Sequence, residues 1–157
     1  MQYLENIEAE NQTKQTPFRM PVQWVNRPNS SFRGFTGLIA SGETKIGDKI
    51  RLHPGGNEST IESIITWDGE LPKASAGQSV TITLNDEIDV SRGDIIATST
   101  DPCGEADQFQ SRILWMSDDA MIPGRQYIFK SNTQSATLTL GRLKHRIDVN
   151  TLDHLPA

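Results

Sequence analysis

Five groups of residues in this chain have the types and spacing to do chemistry. His145 and His154, with Asp148 and Asp153 between and beside them, can be drawn as a metal site. The nine-residue gap between the histidines matches no compact zinc spacing and no cysteine is near, so they read as ordinary surface or interface histidines. Asp86, Glu87 and Asp89 could suggest acid–base work, but such catalysis needs groups placed around a reacting bond. Carboxylates this close in sequence mark an acidic turn instead, and Arg92 is the expected ion-pair or turn-network partner. Arg142, Lys144 and Arg146 alternate, so on a strand they form one basic row beside Leu143 and Ile147. Three readings of that row stand: a solvated or edge-guarding face, a docking stripe, or a phosphate contact. Arg27 and Arg33 flank the Arg27-Pro28-Asn29 turn, where packing explains them less well than an interface does, since the planar guanidinium pairs carboxylates bidentately. His53, before Pro54-Gly55-Gly56, reads as a turn residue.

No nucleophile–base pair and no GxxxxGK[ST] phosphate loop is present. The chain alone is therefore expected to be inactive, with no catalytic, cofactor-binding or metal-binding residue. The residues offered for an interface are Arg27, Arg33, Arg142, Lys144 and Arg146.

The elements that must position these groups are strands. Val80, Ile82 and Leu84 alternate with Ser79, Thr81 and Thr83, and Ala136, Leu138 and Leu140 alternate with Thr137 and Thr139. Shorter apolar runs recur at 21–25, 37–40, 49–52, 61–67, 95–97, 112–116 and 127–129, with turn residues between most of them. That rhythm, roughly every 8–12 residues, is that of a sandwich or barrel. Gly47-Asp48, Gly93-Asp94 and Pro123-Gly124 each precede a strand-like stretch and read as tight turns. At Gly141 the apolar parity switches, which predicts a β-bulge. Trp24, Trp67 and Trp115 lie in or beside apolar runs and are expected in core or inter-domain packing, and Phe35 in the core. Only Tyr3, Leu4 and Ile7 suggest a helix or the end of one. The class is all-β.

Bulk properties narrow the setting. The chain has 157 residues, 35% hydrophobic and 22% charged, with a formal net charge of −5. The acidity argues against nucleic acid as a partner. One cysteine, Cys103, excludes an internal disulfide and fits a reducing compartment. The first ten residues lack a signal-peptide pattern, and no apolar run approaches the ~20 residues of a membrane helix. A cytoplasmic protein without membrane contact is expected. A polar, Gly- and Pro-containing break at 100–107 suggests three parts: 1–16 as a linker or the end of a preceding domain, 17–102 as one small barrel, and 103–157 as a second, C-terminally incomplete one. An incomplete barrel leaves unpaired strand edges, so self-association is a further expectation.

The first block is similar to the second domain of the translation-factor GTPases, as in elongation factor Tu. The similarity rests on 17–22, 33–37, Ser41-Gly42, Gly47-Asp48, 76–78 and 91–94. Three stretches are more specific: 25–29 with 32–35, 86–94, and 144–152. With Leu114-Trp115-Met116 and Pro123-Gly124-Arg125, they resemble the GTPase (large) subunit family of bacterial sulfate adenylyltransferase (ATP sulfurylase), domains II and III. The chain departs from that family in lacking the phosphate loop and the Asn-Lys-x-Asp guanine-reading motif. The resemblance therefore implies that GTP and Mg2+ bind a GTPase domain lying before residue 1, and that domain III continues past Ala157. It implies a parent nucleotidyltransferase complex of sulfate assimilation, which hydrolyses GTP to drive synthesis of adenosine 5′-phosphosulfate from ATP and sulfate. The β modules would contact the catalytic (small) subunit and their own GTPase domain. An RNA- or tRNA-contacting barrel of a true translation factor is the alternative.

Overall fold

The computed structural model describes residues 16–156. The helix hinted at by Tyr3, Leu4 and Ile7 lies outside the described residues. Within them the secondary structure is all strand, and they divide into two compact units, the first ending at Glu105 and the second beginning at Ala106.

The first unit contains β1 (Arg19–Pro21), β2 (Trp24–Asn26), β3 (Gly34–Leu38), β4 (Glu43–Lys45), β5 (Lys49–His53), β6 (Glu58–Thr66), β7 (Gly69–Glu70), β8 (Lys73–Ser75), β9 (Ser79–Leu84) and β10 (Ile95–Thr98). Eight of them form one antiparallel sheet in the order β1-β10-β5-β6-β9-β3-β2, with β7 paired to β6; β4 and β8 form a separate ribbon. Alternation decides the interior. Val25, Phe35, Ile82 and Ile64 stand opposite one another across β2, β3, β9 and β6 and turn inward. Met20, Ile96 and Leu52 do the same across β1, β10 and β5. Each such fully buried side chain contributes about 1.5–3 kcal/mol.

The unit is all-β as expected, but its sheet is not closed by strand pairing. The ladder is an open path whose two ends, β1 and β2, are halves of one segment bent at Val22-Gln23. A single bridge, Arg19 with Ser41, crosses from β1 to the residues after β3. Covalent continuity replaces a closing ladder at that seam.

Strand entry is governed by a repeated turn. Before β5, β9 and β10, the N–H of the last turn residue donates to the carbonyl three residues earlier, as Asp48 to Lys45, Gln78 to Ser75 and Asp94 to Ser91. The side chain of the same residue accepts the earlier residue's N–H, at 2.9, 2.7 and 2.8 Å respectively. The third position is Gly47, Gly77 or Gly93, with φ of 86°, 89° and 103°, a backbone region that L side chains avoid.

The second unit holds β11 (Gln126–Ser131) paired with β12 (Gln134–Thr139), and β13 (His145–Ile147) paired with β14 (His154–Pro156). These are two separate two-stranded sheets, and none of the unit's described residues is buried. The strand expected over 112–116 does not form: the segment is irregular, with Leu114 and Met116 exposed. A strand needs a neighbour, and among the described residues none pairs with it. Gly141 is no bulge within a strand. It lies in the irregular stretch between β12 and β13, so the parity switch marks a strand break.

Candidate interaction site

The loop between β2 and β3 is shaped by one side chain. Asn29 Oδ1 accepts the N–H groups of Ser31 and Phe32 at 3.0 and 2.9 Å and the Ser31 hydroxyl at 2.9 Å. This Asx-type turn folds the backbone back after Arg27-Pro28 and delivers Arg33 to the start of β3. The Phe32 ring covers Gly34, where an added Cβ would meet Thr81 Cγ2 at 2.5 Å and Phe32 Cε1 at 2.8 Å. Only glycine fits there.

Arg33 leaves that loop to meet another. Its Nη2 donates to Asp89 Oδ1 at 3.0 Å, and its guanidinium lies 5.7 Å from the centroid of the Phe35 ring. Its Nε is buried without a hydrogen-bond partner. Three residues after Asp89, Arg92 Nη1 donates to the carbonyl of Gln23 at 2.9 Å. Arg33 thus grips the β9–β10 loop beside the Asn26 end of β2, and Arg92 fastens it at the Gln23 end. The loop is held alongside β2, the last strand of the ladder, where unpaired backbone would invite foreign strands.

Arg27, Ser30, Arg33, Glu62, Asp86 and Glu87 line a shallow polar cleft where the two loops meet. The expected pairing of Arg92 with the neighbouring carboxylates does not occur. Arg33 takes Asp89, while Asp86 Oδ2 accepts from Ser59 Oγ at 2.8 Å and Arg92 is used on a backbone carbonyl. Tertiary proximity overrides sequence proximity here. The cleft also holds the Thr83 hydroxyl, which donates to Glu62 Oε2 at 3.1 Å. Its mixed cations, carboxylates and hydroxyls suit contact with a polar protein surface.

The basic row is not brought together on one strand. β13 begins at His145, so only Arg146 is a strand residue, and Arg142 and Lys144 precede it in irregular backbone. Lys144 Nζ donates to Gln110 Oε1 at 2.6 Å. Across the same hairpin His145 and His154 stack, with ring centroids 4.0 Å apart and planes 12° from parallel. Imidazole lone pairs lie in the ring plane, so parallel stacked rings do not converge their nitrogens on one ion. Among the described residues no group of three or more His, Cys, Asp or Glu is placed to hold a metal. The hairpin turn is built by Asp148, whose carboxylate accepts the N–H groups of Asn150 and Thr151 at 2.8 and 3.2 Å. These two bonds, with a smaller contribution from Arg146, hold its pKa below the usual value of 3.8.

Two further placements depart from expectation. His53 is a buried strand end with a defined tautomer. Its Nε2 accepts the Cys103 N–H at 3.2 Å, which puts the proton of the neutral ring on Nδ1, 3.5 Å from Glu105 Oε1. The tryptophans are not core residues: Trp24 is 58% exposed, Trp67 fully exposed and Trp115 40% exposed. Each sits at an outward position or in irregular backbone, where apolar character alone does not bury it. Phe35 is in the core, as expected.

With this geometry in view, the family described as GTP-eEF1A C-terminal domain-like matches residues 108–157. Sulfate adenylyltransferase subunit 1 of Saccharophagus degradans is 44% identical over 98% of the chain, which covers 33% of that protein. The Bifunctional enzyme CysN/CysC of Xylella fastidiosa is 45% identical over 96% of the chain and is covered over 24% of its own length. The chain spans about a third of the length of the curated subunit 1 relatives it matches. Among solved structures, sup35 complexed with GMPPNP aligns over 98% of the chain and 37% of its own, with a TM-score of 0.76 and 18% identity. That likeness establishes a translation-factor-type β fold. Among the described residues no helix is long and apolar enough to cross a membrane.

Proposed function

Because the chain is homologous along nearly its whole length to about a third of sulfate adenylyltransferase subunit 1, we propose that it supplies the two β modules of such a GTPase subunit. In this reading, 17–102 is domain II, 103–157 belongs to domain III, and neither performs the chemistry. The parent complex couples GTP hydrolysis to formation of adenosine 5′-phosphosulfate and pyrophosphate from ATP and sulfate, in the cytoplasm. GTP and Mg2+ are held by the GTPase domain. The β modules contact that domain and the catalytic small subunit, and pass the nucleotide state between them.

One observation carries the reading: 44% identity extends over 98% of the chain, through both units. The arginine-pinned loops fit it. Arg33 is fixed by Asp89 and Phe35, while Arg27 has no ion-pair partner among the described residues. A fixed arginine loses little side-chain entropy on meeting a partner carboxylate. The second unit, with no described residue buried, has apolar surface for further protein contacts, self-association among them.

The test is co-purification of the chain with a separately expressed catalytic subunit, alongside filter binding to tRNA. Capture of the subunit that weakens on Arg27→Glu supports the reading. Tight tRNA binding with no capture would replace it with the translation-factor alternative.

A further inference from the structure

The outward face of the first unit, beside the arginine loops, has a composition that neither folding nor the cleft explains. Strand register places Trp24, Thr36, Thr81, Ile65 and Glu70 in one transverse row across β2, β3, β9, β6 and β7. These are the residues left outside when Val25, Phe35, Ile82 and Ile64 turn inward. Two positions along, Leu38 stands opposite Ser79 on the same face, and beyond Ile65 the tight turn between β6 and β7 carries Trp67, which is fully exposed.

The rows make a trough. Its floor is short side chains, Thr36, Thr81 and Ser79, and the two threonine hydroxyls are 2.8 Å apart and bonded to each other, which lowers their demand for water. On one side stand Trp24 of β2 and Leu38 of β3, 58% and 42% exposed; on the other stands Ile65, with Trp67 in the turn that follows its strand. From β2 to β6 is three inter-strand spacings, roughly 14 Å. An α-helix with its side chains is about 10–12 Å across. The rim on the β6–β7 side is acidic: Asp68 and Glu70 are exposed without an ion-pair partner among the described residues, and the exposed Glu62 accepts the Thr83 hydroxyl at 3.1 Å.

We propose that this face is a second docking surface, which takes an amphipathic helix of a partner protein with its apolar side between the tryptophans and a lysine- or arginine-rich flank against the acidic rim. Exposed tryptophans beside a small-residue floor are the anchors that such interfaces use, and the carboxylates of Asp68 and Glu70 along one side fix the helix's orientation. The surface is a property of this chain alone and is independent of the sulfate-activation reading.

The full chain is titrated calorimetrically with a blocked 18-residue leucine/lysine helical peptide and with a leucine/glutamate peptide of the same pattern. Tryptophan emission is followed in a Trp115→Phe background, so that the signal comes from Trp24 and Trp67. The lysine peptide is expected to bind with a blue shift, and the glutamate peptide at least about tenfold more weakly. Trp24→Ala and Trp67→Ala, both at exposed positions, should each weaken binding by roughly tenfold, the usual loss at an interface tryptophan. Paired reversal of Asp68 and Glu70 to lysine should do likewise. Amide dispersion confirms that each variant is folded. No binding of either peptide overturns the proposal. So does lysine-peptide binding that the tryptophan variants leave unchanged, since that would be attraction to the net negative charge alone.

Discussion

Arg33 and Asp89 are 56 residues apart in the chain and meet at 3.0 Å, joining the β2–β3 loop to the β9–β10 loop. The contact has structural meaning beyond its own strength. Asp89 is fully exposed, so the pair is solvent-screened and contributes little to global stability. What it controls is where the β9–β10 loop rests, alongside the last strand of the ladder.

Asp89→Ala should therefore leave the melting temperature nearly unchanged, whereas Arg33→Ala also removes the guanidinium from the Phe35 ring and should lower it modestly. Amide exchange across 86–92 should accelerate in both, and the double variant should match either single one. Hydrogen-exchange mass spectrometry reads this directly, and a large loss of global stability would show that the pair does more than position the loop.

The strand-entry turns make a sharper stability prediction. An added Cβ at Gly47 meets nothing within 4 Å, so Gly47→Ala is penalised only by its φ of 86°. A loss of about 1–2 kcal/mol is expected, with Gly47→Asn costing less because asparagine tolerates that region. Asp48→Ala removes the acceptor of the Lys45 N–H and the Thr44 hydroxyl and should also destabilise. Urea unfolding of the three variants orders them.

His53 fixes the segment after β10. Replacing it with Phe removes the acceptor of the Cys103 N–H, whereas Gln can restore one through its carbonyl oxygen. Reaction of the sole thiol, Cys103, with a disulfide reagent should speed up in His53→Phe and recover toward the parent rate in His53→Gln. Equal rates in all three proteins would show that His53 does not hold the segment.

The β13–β14 turn is pH-dependent in a direction that can be stated. Asp148 has a lowered pKa in the folded chain, so its ionised form stabilises the turn. That stabilisation is complete well above the unfolded value of 3.8 and is lost as the pH falls through it toward the lower folded value. Asp148→Ala should abolish both the turn's hydrogen bonds and this acid transition. Asp148→Asn should keep an acceptor and lose only the transition. In the same turn Leu152 has φ of 63° and is exposed, so Leu152→Gly should stabilise the hairpin. Two-dimensional NMR of the hairpin amides between pH 2 and about 6 separates these cases.

The absent phosphate loop predicts that the chain alone does not bind GTP measurably. Calorimetric titration with GTP and Mg2+ should give no heat beyond dilution, and a micromolar dissociation constant would refute it.

The sequence by itself determined the all-β class, most of the long strands and the turns that start them. Alternation in 79–84 and the Gly-Asp pairs at 47–48 and 93–94 are local signals. Side-chain period and backbone φ act over a few residues, and such patterns survive in one dimension. The same locality explains the strand misread at 112–116, because whether an apolar run becomes a strand depends on a neighbour that the run does not contain. The bulge misread at Gly141 has the same cause.

Only the tertiary structure decided which charges meet and which aromatics stay outside. In sequence Arg92 is the natural partner of the acidic turn at 86–89, yet Arg33 takes Asp89 and Arg92 takes a carbonyl. Ion pairing depends on distance in space, which strand order sets and sequence separation does not. The tryptophans turn on the same distinction. Hydrophobicity says that Trp24 gains by burial, but β2 and β3 pair Trp24 with Thr36 on the outward side and Val25 with Phe35 on the inward side. Register, fixed by the whole sheet, put an aromatic ring on the surface.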